Sequence, residues 1–385
     1  MRRTVYDADH ETFRKTVRAF IESEVVPVHE QWFEAGIAPR EFYYKLGEFG
    51  VWGIEVPEEY GGAGVESFKF QAILMEEAHR AGVSFGGSGV HTGLCLPYLK
   101  KLATPEQKAR WFPGFVTGEL MFAIAMTEPD IGSDLAGMRT TAKLSEDGTH
   151  YVLNGSKTFI TGGVHADRVI VCARTAAARP DDRRFGISLL AVDAASDGYR
   201  VNRKLDKLGL KTSDTAELSF TEVRVPVGDL LGEQDMGFSY LGQNLPQERL
   251  SIAVGAYAQA KAAIRFTTEY VRERTVFGTP VAGFQNTKFE LAACRAEVDA
   301  AEAVVDRALD AHDAGELTAA DAASAKLFCS EVASRVIDRC LQLHGGYGFI
   351  NEYPITRLYA DNRVNRIYGG TSEVMKMIIA KEMRL

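Results

Sequence analysis

The chain has 385 residues, 46% hydrophobic and 25% charged, which is enough to bury a large core and to divide into two or three domains. A net charge of −8 without any local basic stripe excludes a nucleic-acid-coating role, so an anionic ligand has to be held locally. No run approaches the roughly 20 apolar residues of a membrane span, and the opening MRRTVYDADHETFRK has no apolar signal core, so a cytoplasmic location is expected.

Residues 1–118 read as an N-terminal helical domain, with Phe13, Val17, Phe20, Ile21 and Val25 at three- and four-residue spacing and with Pro27, Pro57 and the run Gly61 to Gly64 as breaks. Residues 119–234 change texture. The short apolar or alternating runs MFAIAM, YVLNGSKTFIT, RVIVCAR, ISLLAV and ELSFTEVRV, with turn signals at Asp147-Gly148 and Asn154-Gly155, predict a compact β domain. Residues 235–385 return to the helical period, beginning with a long segment from Gln247 to Arg274 in which Ile252, Val254, Ala258 and Ala262 form a stripe expected to be buried. The five cysteines, Cys95, Cys172, Cys294, Cys329 and Cys340, are odd in number and scattered, and they read as buried thiols. Neither they nor the eight histidines show metal-ligand spacing, so no metal is expected.

Four polar or glycine-rich motifs stand out against this frame. Thr127-Glu128-Pro129-Asp130-Ile131-Gly132-Ser133-Asp134 follows a strand, and its backbone donors and hydroxyls suit a flat polar ring and a phosphate, with Gly132 permitting close approach. Lys157-Thr158-Phe159-Ile160-Thr161-Gly162-Gly163 sets an aromatic and a hydroxyl on a strand. Gln342-Leu343-His344-Gly345-Gly346-Tyr347-Gly348 and Tyr368-Gly369-Gly370-Thr371-Ser372-Glu373 are glycine clusters that can simply join helices, although a helix N-terminus after a glycine pair also suits an anion or a carbonyl oxygen.

Taken together and in this order, TEPDIGSD, KTFITGG, RERTVFG with Gln285, QLHGGYGFINEYPITRLYAD and IYGGTSE resemble the acyl-CoA dehydrogenase family over essentially the whole chain. The resemblance implies an α+β multidomain fold: an N-terminal α-helical domain, a middle β-barrel-like domain and a C-terminal four-helix bundle. It implies FAD as cofactor, an acyl-CoA substrate, an electron-transfer flavoprotein as electron acceptor, and a homotetramer whose neighbouring subunits complete each FAD site. Carried over residue by residue, Met126, Thr127, Gly132, Ser133, Phe159, Ile160 and Thr161 would line the flavin ring, with Ser133 also near the thioester. Arg274, Phe277, Gln285, Gln342, Leu343, His344, Gly345 and Gly346 would meet the pyrophosphate and adenosine, and Thr371, Ser372 and Glu373 would complete the site.

The terminal motif departs from the commonest family pattern. Many members read Tyr-Glu-Gly-Thr there and use that Glu as catalytic base, whereas this chain has Gly369, which cannot accept a proton. The long-chain branch carries its base on an earlier helix and resembles this chain at Leu245-Pro246-Gln247-Glu248-Arg249-Leu250, so Glu248 matches the catalytic position. Glu248 is then expected near a helix start, with Pro246 in the first turn and a pKa raised by burial. Arg249 either meets the CoA portion or the pocket wall, or turns inward and opposes that shift. Leu245, Pro246, Gln247, Arg249, Tyr368, Gly369 and Gly370 are the expected substrate contacts. Gly369 retains a backbone N–H that the resemblance assigns to the thioester oxygen, and His91, Thr92, Leu94 and Cys95 fall where the family closes the deep end of its pocket. The implied reaction removes the α-proton to Glu248 and a hydride from the β-carbon to flavin N5, giving a trans-2-enoyl-CoA. An acyl-CoA oxidase, a non-catalytic subunit of a hetero-oligomer, and a dehydrogenase of branched, cyclic or sterol-derived thioesters are the alternatives.

Overall fold

The structure, a computed structural model, describes residues 3–385. Six α-helices open the described chain: α1 (Ala8–Phe20), α2 (His29–Ala35), α3 (Arg40–Glu48), α4 (Lys69–Ala81), α5 (Leu96–Leu102) and α6 (Pro105–Thr117). The expected stripe is there, since Val17, Ile21 and Val25 are fully buried while Phe13 and Phe20 pack partly buried beside them. A π-type turn at Ile21–Val25 extends α1, and a second at Val90–Cys95 leads into α5.

The middle region is one sheet. Strands β1 (Phe122–Ala125), β2 (Thr141–Leu144), β3 (His150–Thr161), β4 (Arg168–Arg174), β5 (Ile187–Asp193), β6 (Tyr199–Lys204), β7 (Thr215–Pro226) and β8 (Leu230–Leu231) run in the order β6-β7-β3-β2-β4-β5-β8, with β1 parallel to β4. Asp147-Gly148 makes the tight turn between β2 and β3, with Gly148 at φ +68°. Asn154-Gly155 does not turn the chain. It lies inside β3 at a register shift against β7, because Thr140 crosses so closely that a Cβ on Gly155 would meet its Oγ1 at 2.5 Å.

The C-terminal region contains α7 (Gly237–Glu273), a small hairpin of β9 (Thr275–Val276) and β10 (Thr279–Pro280), then α8 (Gln285–Asp313), α9 (Ala319–Leu343), α10 (Pro354–Asn362) and α11 (Ser372–Glu382). Ile252, Val254, Ala258 and Ala262 are buried as expected, and the many alanines of α7 share one core with α9, so the two backbones can approach closely. The helix starts earlier than the sequence suggests. Pro246 lies inside α7 rather than in its first turn, so Glu248 is not near a helix start. A proline ring there presses on the residue four positions back, which is Gly242, with open space around it.

Candidate active site

Two of the motifs are tied together where the chain leaves β1 and passes β3. Lys157 of β3 is fully buried and donates to the Met126 carbonyl at 2.9 Å and to Glu128 Oε1 at 3.0 Å. Glu128 also accepts from the N–H groups of Arg139 (2.7 Å) and Thr140 (2.9 Å), while Thr158 N–H donates to the Thr127 carbonyl at 2.9 Å. Burial works to raise the Glu128 pKa, but Lys157 and these donors hold it below the usual carboxylate range. Glu128 and Lys157 therefore build the platform from beneath. Above it, Phe159 is 67% exposed at φ +61°, next to buried Ile160. The Thr161 hydroxyl lies 3.5 Å from that of Thr215, and Gly132 and Ser133 are exposed, with no atom within 4 Å of a Cβ built on Gly132.

A second assembly is an open groove of about 450 Å³ lined by Arg274, Leu343, His344, Gly345, Gly346 and Tyr347 with Tyr270 and the small hairpin. The glycine pair follows the C-terminus of α9 and opens only a single 3-10 turn, Gly345–Phe349, too short for an appreciable dipole, so the positive charge there is the Arg274 guanidinium, 5.6 Å from the Tyr347 ring centre. Both glycines have open space at the Cβ position. His344 is buried, stacked on Tyr270 at 4.3 Å, with Nδ1 bound to the Cys340 carbonyl, so it shapes the wall. Gln342 is exposed on the last turn of α9, and Gln285 and Phe277 are exposed outside the groove lining, Phe277 at 97%.

The third assembly joins α7, α9 and the turn before α11. A Cβ built on Gly369 would stand 3.4 Å from Glu248 Oε1 and 2.4 Å from Ile252 Cδ1, and Gly369 sits at φ +60°. Glu248 and Ile252 thus fill the space into which a side chain at 369 would project. A side chain carried at 369 would therefore start beside the Glu248 carboxylate and on the tip of Ile252. Burial raises the Glu248 pKa, against Arg249 and Lys326, which lower it.

Arg249 turns inward. It is 5% exposed, and its Nε points at the Gly369 carbonyl at 3.4 Å. Gln247 spans from the Gly93 carbonyl (3.4 Å) to His312 Nε2 (3.2 Å), and Leu245 and Pro246 are half-buried on the same helix. Tyr368 donates its hydroxyl to Asn365 Oδ1 at 2.7 Å. Thr371 caps α11, accepting from Val374 N–H at 3.4 Å, whereas the Ser372 hydroxyl is engaged by Glu331 at 3.1 Å and Glu373 is exposed.

Some residues escaped the sequence reading. Lys326 of α9 is 1% exposed and donates to the Tyr368 carbonyl at 2.6 Å and to the Gly370 carbonyl; burial lowers its pKa to about 8. A lysine at a core position of an otherwise apolar helix face was the available signal. Conversely, His91 is fully buried, stacked on Phe115 at 3.6 Å, with Nδ1 accepting from Phe122 N–H, and Cys95 lies in the same core, so neither side chain is free to meet a ligand. All five cysteines are buried.

A helical domain, a sheet domain and a second helical domain thus bring together a half-buried carboxylate facing a glycine turn and a separate arginine-glycine groove. The chain belongs to the acyl-CoA dehydrogenase family: the models of its N-terminal, middle and C-terminal domains match residues 7–119, 123–223 and 235–384. It is 43% identical to the mitochondrial long-chain specific acyl-CoA dehydrogenase of Sus scrofa over 99% of this chain and 88% of that one. It superposes on an acyl-CoA dehydrogenase from Geobacillus kaustophilus with a TM-score of 0.96, 42% identity and full coverage of both chains. A glutaryl-CoA dehydrogenase from Mycobacterium smegmatis in complex with FADH2 gives a TM-score of 0.89 at 30% identity, covering 98% of this chain and 95% of that one. The family's cofactor is FAD, and the residues present fit it: a guanidinium beside glycines that leave room for a pyrophosphate, and an exposed aromatic on a strand edge with the backbone fixed from below. The chain is accordingly an oxidoreductase acting on acyl-CoA thioesters, and among the described residues no helix is long and apolar enough to cross a membrane.

Proposed function

We propose that this enzyme introduces a trans-2 double bond into a medium- or long-chain fatty acyl-CoA, with Glu248 as the base. The observation that carries the reading is that the Glu248 carboxylate lies 3.4 Å from where a Cβ at 369 would stand, the point from which the side chain of the commoner family base would project. Glu248 takes the α-proton on a carboxylate oxygen. Charge gathering on the thioester oxygen meets the Gly369 N–H, which has no backbone partner among the described residues. Burial of Glu248 brings its pKa towards the range where a carboxylate is an effective base near neutrality. FAD, when bound, accepts the hydride equivalent from the β-carbon; Met126, Thr127, Gly132, Ser133, Phe159, Ile160 and Thr161 would hold its ring end, and Arg274, Gln285, Gln342, Leu343, His344, Gly345 and Gly346 its pyrophosphate and adenosine.

The similarity to long-chain specific relatives supports the substrate class. An electron-transfer flavoprotein is the proposed acceptor. A homotetramer is the proposed assembly, supported by exposed aromatics on the C-terminal helices and loops, Phe277, Phe289 and Phe349, which a neighbouring subunit would cover. Glu248→Gln decides the central claim: it is expected to remain a yellow flavoprotein while anaerobic flavin bleaching by acyl-CoA slows by about 10²–10⁴-fold or more. Bleaching at near the parent rate would remove Glu248 from the reaction.

A further inference from the structure

We infer that Lys326 is a positioning residue: from α9 it fixes the peptide between Tyr368 and Gly369 so that the Gly369 N–H is presented to the thioester oxygen. The inference rests on the proposed roles of Glu248 and the Gly369 turn. Its evidence lies in the turn itself. The three successive carbonyls of Tyr368, Gly369 and Gly370 are each taken by a buried cation: Lys326 holds the first at 2.6 Å and also the third, and Arg249 faces the second at 3.4 Å. Every peptide bond among the described residues is trans, and in a planar trans peptide the C=O and the N–H point in opposite directions. Anchoring the Tyr368 carbonyl on Lys326 therefore turns the Gly369 N–H to the opposite side and prevents the peptide from flipping. Two glycines at φ +60° and +97° form this turn, so the backbone has little intrinsic resistance to such a flip.

Packing alone does not account for an ammonium here. Lys326 is 1% exposed and makes no ion pair with any carboxylate among the described residues. Burying an ammonium against carbonyls costs hydration that a methionine of similar length would not. What the ammonium does and a methionine does not is hold the carbonyls of Tyr368 and Gly370 at once. Glu248 is near enough to feel its charge, so one side chain orients the oxyanion donor and also favours the ionised base.

The test uses the FAD-loaded enzyme and an acyl-CoA with sulfur in place of the β-methylene. Such a thioester can lose its α-proton to Glu248, leaving the electron pair spread onto the thioester oxygen, and regain a deuteron from D2O, but it has no β-hydride to give. The readouts are α-deuterium incorporation, the dissociation constant of the same thioester, and flavin content. In Lys326→Met, incorporation is expected to slow by about 10²-fold, the cost typical of losing one oriented oxyanion donor, with the dissociation constant within about tenfold and flavin content unchanged. Lys326→Arg, which keeps the charge and the donors, should recover part of the rate. Incorporation by Lys326→Met within about threefold of an active parent would overturn the inference, as would failure of both variants to accumulate as flavoproteins, which would make Lys326 a folding element. A parent that incorporates no deuterium would instead refute the reading of the site on which this rests.

Discussion

Two lysines are buried in this molecule beside its functional segments, and they are satisfied in opposite ways. Lys157, in the sheet domain, faces Glu128 at 3.0 Å and closes a neutral pair whose remaining carboxylate lone pairs are filled by backbone N–H groups. Lys326, in the helical domain, faces carbonyl oxygens. Glu248 lies near it without forming an ion pair with it among the described residues. A paired charge is spent locally and holds structure. A charge held only by dipoles keeps a field at its neighbours, and here the neighbour is the candidate base. The same residue type is therefore a strut in one domain and an electrostatic influence on the candidate base in the other.

Removing the strut should give the largest loss of stability. Lys157→Met leaves Glu128 buried without its cation, and breaking such a pair costs about 3–5 kcal/mol; thermal and denaturant unfolding should both record it, with early loss of flavin. A melting curve like the parent's would mean that the platform stands on backbone bonds alone. Next in size is the pH response of the reductive half-reaction. Glu248 acts as base only when ionised, and its pKa is raised, so the rate should fall as pH drops through that raised value. The groups facing Glu248 are Arg249 on α7, Lys326 on α9, Tyr98 on α5 and Tyr368 on the turn; both tyrosines are held neutral by burial. Lys326→Met removes a charge that lowers the Glu248 pKa, so the acid limb should move to higher pH; Lys326→Arg should leave it near the parent's position. An unmoved limb in Lys326→Met would place Lys326 with Lys157, as a strut. The smallest effect expected is that of Gly369→Ala. A methyl group at φ +60°, meeting Ile252, costs about 1–2 kcal/mol from the left-handed backbone, and it should slow flavin reduction through displacement of Glu248 more than it weakens thioester binding.

Much of this was legible in the chain because it rests on local patterns. The change from a period of 3.6 to near 2 and back marks the helical, sheet and helical regions, since one hydrophobic face must be buried whatever covers it. Glu248 stood out as a candidate base through an absence: in a chain resembling this family, glycine at 369 leaves the proton in need of another acceptor. Pro246 misled, because proline is favoured in the first turn of a helix and disfavoured further in, and only the open space at Gly242 shows how α7 runs through it. Asn154-Gly155 misled in the same way, being a turn signal used for a close crossing by Thr140. Lys326 carried only the weak signal of a lysine at a core position on an apolar helix face, and Lys157 only its place in the glycine-ended motif, since a lysine looks solvated until its surroundings are known.

What the sequence determined by itself was the order of the helical and sheet regions, which follows from hydrophobic spacing, and, through the resemblance of its motifs, the family and a candidate for a displaced base. The tertiary structure alone decided that Glu248 meets Gly369 across 121 positions, that Arg249 turns inward, and that Lys326 grips the same turn, because these are contacts between α7, α9 and a terminal loop. Whether a buried charge is a strut or an influence on chemistry depends on which oxygen atoms surround it, and that is fixed only when distant segments pack.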